Sequence, residues 1–522
     1  MIAFAAMSGP LPKVGVLALA ALVGVALVAR AGRTRALAML GGLVLSPLLL
    51  LADIWHSPQL GPVHRHPALA ALGALVALGL LAALARELAR RPWLVGVLVV
   101  VALPFRVPIE AGGTTSNLLV PLYLVVAAGS LAFIVPALRG AGARPEARHG
   151  WLERLLVAYV GLYALQAIYS VDFEKALQQM VFFYVPFALM FSLLRSLDWD
   201  AALLRRCLGA VVTEAVVFAL VAFVEYATKT IVLNPKLVVQ NDLHAYFTVN
   251  SVFFDPDIFG RFLALVMITL VAVLLGARRQ REQLGVVGLL GVLWGALVLT
   301  LSRSSLAALL VGLGVLSALR WRATRTLVAA AAVVVVGAVA VAASPNTFGL
   351  NQGLNGASSG RAGLVSGGLT MFGQRPLWGY GSGSFVAEYR RQHPATSTTL
   401  AASHTIPITI AAEQGLLGEL PYIAVVAIAA VTLLRRARGD PARAAVAAAF
   451  LALVFHTLLY ADFLEDPFAW TLLAIGVGLA RREPPVGGYR VQAVAEREAE
   501  EGRRAPAGRA TRVRPVPSEA GR

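Results

Sequence analysis

The stretch Phe259-Gly-Arg-Phe-Leu-Ala-Leu-Val-Met-Ile-Thr-Leu-Val-Ala-Val-Leu-Leu275 decides the fold. Arg261 is its only charged residue, and its apolar residues run on without alternation, which argues against a half-buried strand. Its length approaches the roughly 20 residues a helix needs to cross a bilayer. Similar apolar cores recur at Val14 to Val28, Leu69 to Leu84, Val181 to Leu194 and Leu327 to Ala343. Of the 522 residues, 58% are hydrophobic and only 14% charged, and mean hydropathy is +0.74. A soluble domain carries about 25% charged residues, so this chain has too few to cover a water-facing surface. Backbone groups in lipid must be satisfied within helices or a closed barrel, and continuous apolar runs exclude the barrel. The sequence therefore predicts an all-α membrane protein, a polytopic helical bundle.

The net charge of +17 does not indicate nucleic acid. There is no basic face interleaved with aromatics, and the arginines sit in short connections between apolar runs. Clusters such as Arg86/Arg90/Arg91, Arg278/Arg279/Arg281, Arg320/Arg322/Arg325 and Arg435/Arg436/Arg438/Arg443 alternate with connections poorer in basic residues. The positive-inside rule places the basic clusters in the cytoplasm. The alternation predicts about 12 to 15 transmembrane helices, with a large extracytoplasmic loop over 344–403 before the last three spans. A second long outward connection runs over 226–257. Residues 1–482 form the transmembrane domain. The segment 483–522, rich in Arg, Glu, Pro and Gly, reads as a disordered cytoplasmic tail. The first apolar run reads as a retained span rather than a cleaved signal. The single cysteine, Cys207, excludes an intrachain disulfide and any multi-cysteine metal site. His64 and His66 lie close together but without metal-site spacing, so no metal and no cofactor is implied.

Charged residues in or beside the outward ends of spans carry the functional signal, because an ionisable group in the membrane is costly. Arg303 lies in Leu301-Ser302-Arg303-Ser304-Ser305, between two apolar runs with almost no loop. Arg261 sits one turn inside a span opened by Asp255-Pro256-Asp257. Its structural alternative is an ion pair with Asp255 or Asp257. Two outward arginines in separate spans suggest an anionic ligand, since the guanidinium suits bidentate phosphate contact. In the large loop, Arg361 opens a short helical segment that Pro376 ends. Arg375-Pro376-Leu377-Trp378-Gly379-Tyr380-Gly381 then forms a glycine-rich turn, either open to close approach by a ligand or purely structural. His404 stands at the mouth of the next span, where an imidazole could take a proton from a hydroxyl. Glu413 follows as an interfacial or intramembrane carboxylate able to pair with an arginine. His393 and Glu413 are the fallback bases.

This ordered set resembles the O-antigen ligase/O-antigen polymerase family of bacterial membrane glycosyltransferases. The residues that carry the resemblance are Asp255-Pro256-Asp257, Ser302-Arg303, Arg361, Arg375 to Gly381, and His404 before Glu413-Gln414-Gly415-Leu416-Leu417-Gly418. His404 and Thr405 stand at the ligase spacing from Gly415 and Gly418, with Thr405 where Asn, Ser or Gln is usual. The resemblance covers about 251–434 and implies a multi-pass protein of the bacterial cytoplasmic (inner) membrane. It also implies metal-independent, inverting transfer of a glycan from a polyprenyl diphosphate carrier, such as undecaprenyl diphosphate, to an acceptor hydroxyl on a glycan or lipid-glycan. Arg303 and Arg361 would then be catalytic with His404 as general base, and Arg261, Arg375, Gly379, Gly381 and Glu413 would bind substrate. A transporter or permease without glycosyl transfer is the alternative. Paired acidic groups in mid-membrane would favour it, and only Glu214 and Glu225 are candidates. A non-catalytic scaffold or receptor with a sensing loop is a third reading.

Overall fold

The computed structural model describes residues 9–55, 60–111, 114–140, 150–233, 241, 247–321, 361–394, 403–461 and 463–481. The apolar run Leu327 to Ala343, parts of the 344–403 loop and the 483–522 tail lie outside the described residues. Residues 1–480 form one compact unit. Its helices, in chain order, are α1 (Pro10–Val28), α2 (Gly32–Ile54), α3 (Gly61–Arg65), α4 (Pro67–Arg90), α5 (Trp93–Ala102), α6 (Val120–Leu138), α7 (Trp151–Ala167), α8 (Phe173–Leu194), α9 (Ala201–Thr228), α10 (Pro256–Gly276), α11 (Gln280–Leu299), α12 (Arg303–Arg320), α13 (Arg361–Gln374), α14 (Phe385–Gln392), α15 (Ile406–Leu434), α16 (Pro441–Thr457) and α17 (Pro467–Ala480). Among the described residues ten helices are long and apolar enough to cross a membrane. Three shorter apolar ones are α5, α16 and α17. The chain is thus an all-α polytopic membrane protein, with one element the sequence did not suggest. That element is an antiparallel hairpin of β1 (Val107–Ala111) and β2 (Thr114–Leu118), registered Val107 to Leu118.

The helix starts follow local chemistry. Asp255 caps α10, its Oδ1 accepting the Asp257 N–H at 2.7 Å, with Pro256 in the first turn. Proline there has no N–H to leave unsatisfied. Ser302 caps α12 and Asp440 caps α16 in the same manner, filling orphan donors of the first turn. Helix α8 carries a π-turn over Met180–Tyr184.

Helices α10, α12 and α16 pack on one another at the centre of the site-bearing half. Nearly every face of α10 is buried. By contrast α4 buries only Ala85 and Leu88, which suits a lipid-facing helix. Small residues allow the tight contacts, as in other membrane bundles. A Cβ on Gly260 would lie 2.8 Å from Ser305 Oγ, and one on Gly312 would collide with Ile268. The N-terminal ends of α10, α12 and α15 meet the C-terminal end of α16. The connections carrying Arg278, Arg279, Arg435 and Arg436 fall at the other end of these helices.

Candidate active site

At that meeting point Tyr460 is the hub. Its hydroxyl donates to Asp255 Oδ2 at 2.9 Å. Its ring lies 5.9 Å from His404, 5.5 Å from His456 and 6.0 Å from the Arg261 guanidinium. Arg261 is fully buried and pairs with the equally buried Asp466 at 2.6 Å. Neither Asp255 nor Asp257 is its partner, although both are close by in sequence. A buried guanidinium needs a carboxylate to offset its desolvation, and the first turn of α17 supplies it. Burial first, and then the charge of Asp257, push the Asp255 carboxyl above its ordinary range, against the opposing Tyr460 hydrogen bond.

Asp257 ties three helices together. Its Oδ1 accepts hydroxyl protons from Ser302 and from Ser304, the latter at 3.1 Å, and its backbone carbonyl accepts from Ser305 at 3.1 Å. Its Oδ2 faces Arg361 at 3.5 Å, and Arg361 also donates to the Leu459 carbonyl at 2.8 Å. Arg361 remains 36% exposed, so it is held on one side and open on the other. Arg303 is exposed at the start of α12, between Ser302 and Ser304 of the network. The expected shared setting of Arg261 and Arg303 therefore divides: Arg261 is interior and ion-paired, Arg303 is at the rim.

His404 is half-buried and has a left-handed backbone, φ +57°. A non-glycine residue adopts that conformation only when its surroundings hold it there. The Ser403 hydroxyl does so. It accepts the Thr405 N–H at 3.1 Å and reaches Thr409 Oγ1 at 2.6 Å, folding the chain tightly before α15 begins.

The glycine-rich turn and Glu413 have a different setting. Helix α15 breaks at Gly415, with φ +62° and ψ −161°, a region only glycine enters readily. The break frees carbonyls and N–H groups in mid-helix, and the turn after α13 takes them up. Tyr380 and Gly381 N–H groups donate to the Ala412 and Glu413 carbonyls at 3.3 and 2.7 Å. Leu416 and Leu417 N–H groups donate to the Pro376 and Leu377 carbonyls at 2.8 and 3.3 Å. Gln166 of α7 satisfies the Gln414 carbonyl. The Glu413 carboxylate accepts the N–H groups of Gly383 and Phe385 at 2.8 and 2.9 Å. A Cβ on Gly379 would lie 2.2 Å from the Glu413 carbonyl oxygen, and one on Gly381 2.2 Å from Ser170 Cα. The close approach these glycines permit is thus to the chain's own backbone, and Glu413 pairs with backbone rather than with an arginine. Arg375 is exposed and stacks its guanidinium 4.4 Å over the Tyr380 ring. His393 stacks on Tyr389.

Residues 288–423 match the family model described as O-antigen ligase. The chain carries an O-antigen ligase domain. That domain contains Ser302, Arg303, Arg361, the docked turn and His404, and it indicates a surface-polysaccharide function of the ligase/polymerase type in a multi-pass membrane protein. Compared with curated proteins, the chain has no match. Asp255, Asp257 and Arg261 precede the matched segment, and His456, Tyr460 and Asp466 follow it. The hydrogen-bond and ion-pair network therefore joins the O-antigen ligase domain to helices on both of its sides. The sequence reading missed His456, Tyr460 and Asp466. One signal was available for His456: like Arg261, it is an ionisable residue at the end of an apolar run.

Proposed function

We propose that this chain transfers a glycan from a polyprenyl diphosphate carrier to an acceptor hydroxyl at the outer face of the cytoplasmic membrane. The observation that carries the reading is the convergence of His404, Arg361 and the Arg261–Asp466 pair around Tyr460, within and beside an O-antigen ligase domain. By the positive-inside rule this end of the helices is extracytoplasmic, because the basic connections lie at the other. A lipid carrier presents its diphosphate at that depth.

In this mechanism the acceptor oxygen attacks the anomeric carbon as the bond to the diphosphate breaks, inverting the configuration. His404 takes the hydroxyl proton, and the diphosphate leaves with the electron pair. No metal takes part: Arg361, part exposed, and Arg303, an exposed residue at the start of α12, receive the developing charge. Arg261 is already neutralised by Asp466, so its part is to hold Tyr460 and Asp255 in place rather than to grip the diphosphate. Arg375 is free to meet the sugar chain at the surface. Gly379, Gly381 and Glu413 act by fixing the break in α15 that follows His404.

The test is release of polyprenyl diphosphate when the purified protein is given a lipid-linked glycan and its acceptor. His404→Ala should lower turnover by about 10²- to 10⁴-fold while undecaprenyl diphosphate still binds. No release from the parent protein under any acceptor would favour the permease reading. A folded His404→Ala protein with normal turnover would remove His404 as the base.

A further inference from the structure

The serine cluster at the start of α12 faces a second histidine that the reaction above does not use. His456 is fully buried at the end of α16, with Nε2 3.2 Å from Ser304 Oγ and 3.4 Å from Ser305 Oγ. The direction of the serine hydroxyl protons bears on its tautomer. Ser302, Ser304 and Ser305 own one proton each. Ser304 and Ser305 donate to Asp257, at Oδ1 and at its backbone carbonyl, and the Ser302 hydroxyl lies against both Asp257 Oδ1 and Ser305 Oγ. With the Ser304 and Ser305 protons directed at Asp257, Nε2 carries its own proton and donates to the serine oxygens. Ser304 and Ser305 are thereby turned, hydrogen first, toward Asp257. Asp257 presents its other oxygen to Arg361 at 3.5 Å.

From this geometry we propose that His456 is a positioning residue for the donor site: it orients Ser304 and Ser305, which lock Asp257, which aims Arg361 at the diphosphate. The proposal rests on the diphosphate role given to Arg361 above. His456 touches no substrate. Its effect travels through two hydrogen-bonded steps and ends at one guanidinium. Without a donor at Nε2, a serine hydroxyl can rotate away, Asp257 loses a partner, and Arg361 loses the fixed half of its setting. Neighbours linked this way behave non-additively.

The probe is undecaprenyl diphosphate itself, the leaving group, whose binding to the full-length protein in detergent can be measured without turnover. Arg361→Ala should weaken it. His456→Phe should weaken it about tenfold, within the range of coupled neighbours. His456→Gln, whose amide nitrogen can stand near Nε2, should bind nearly as the parent does. His456→Asn, whose shorter amide cannot reach the serines, should behave as His456→Phe. The double variant Arg361→Ala/His456→Phe should bind no more weakly than Arg361→Ala. A structural role alone would lower the melting midpoint of all three His456 variants and would not separate Gln from Asn. Parent-like binding by both His456→Asn and His456→Phe, with Arg361→Ala weakened, overturns the positioning role and leaves the proposed function standing. Equal weakening in Gln and Asn, or full additivity in the double variant, also overturns it. If the parent fails to bind undecaprenyl diphosphate, or Arg361→Ala binds as the parent does, the donor-site reading falls and this inference falls with it.

Discussion

Replacing Gly415 by Ala should undock the turn that follows α13. The native backbone there has φ +62° and ψ −161°, and forcing an L-residue into that region costs about 1–3 kcal/mol. The new Cβ would also lie 2.5 Å from the Leu377 carbonyl carbon and oxygen and 2.7 Å from the Trp378 nitrogen. These are backbone atoms, so no side-chain rotation relieves the contact. Relief requires the turn to move away, which breaks the hydrogen bonds from Leu416 and Leu417 to Pro376 and Leu377, and those from Tyr380 and Gly381 to Ala412 and Glu413. At about 1 kcal/mol each, that route costs on the order of 4 kcal/mol. The protein takes the cheaper route or a mixture, so the loss is about 3 kcal/mol and no more than about 4 kcal/mol. A melting curve in detergent should shift down by about 3 °C, and chymotrypsin should cut faster after exposed Trp378 in the released turn. Gly373→Ala is the control. Gly373 lies inside α13 with nothing within 4 Å of an added Cβ, so alanine there should be neutral or slightly stabilising. A Gly415→Ala protein that melts with the parent and resists chymotrypsin equally would refute the account of the broken helix.

Other consequences follow from single contacts. Asp466→Asn leaves the Arg261 guanidinium buried without its carboxylate, which should cost about 3–5 kcal/mol; the paired change Arg261→Met/Asp466→Leu should recover the melting midpoint. Parent-like stability in Asp466→Asn would show the pair to be dispensable. Burial acts to raise the Glu388 carboxyl, but hydrogen bonds from Arg391 and Gln392 outweigh it and hold its pKa below the ordinary value. Its stabilising contribution is therefore present above the unfolded value of about 4.3 and disappears as pH falls through the lower folded value. The melting difference between the parent and Glu388→Gln should shrink to nothing in that acid range, and a constant difference would contradict the assignment. Reporter fusions at Gly140 and Asn355 should report opposite sides of the membrane, and the same side for both would remove the outward placement of the site.

What could be read from the sequence was whatever is written locally. A continuous apolar run states a membrane helix, Asp255-Pro256 states a cap and first turn, and Arg261 inside such a run states a buried charge whose partner must exist. The identity of that partner was not legible, because Asp466 lies on a different helix and nothing near Arg261 points to it. Proximity in sequence suggested Asp255 and Asp257, but each is occupied: Asp255 caps α10 and accepts from Tyr460, and Asp257 is taken by serines and by Arg361. The glycines of the turn show the same limit from the other side. Their spacing announces that some backbone must come close, yet a sequence cannot say whether that backbone is hidden in the fold or belongs to a ligand's surroundings. The answer depended on Gly415, whose break in α15 creates the unsatisfied groups that Gly379 and Gly381 approach to fill. Two motifs that each read as candidate ligand contacts are thus halves of one structural joint. Under the proposed function its effect on chemistry is indirect, since it fixes the break in α15 that follows His404.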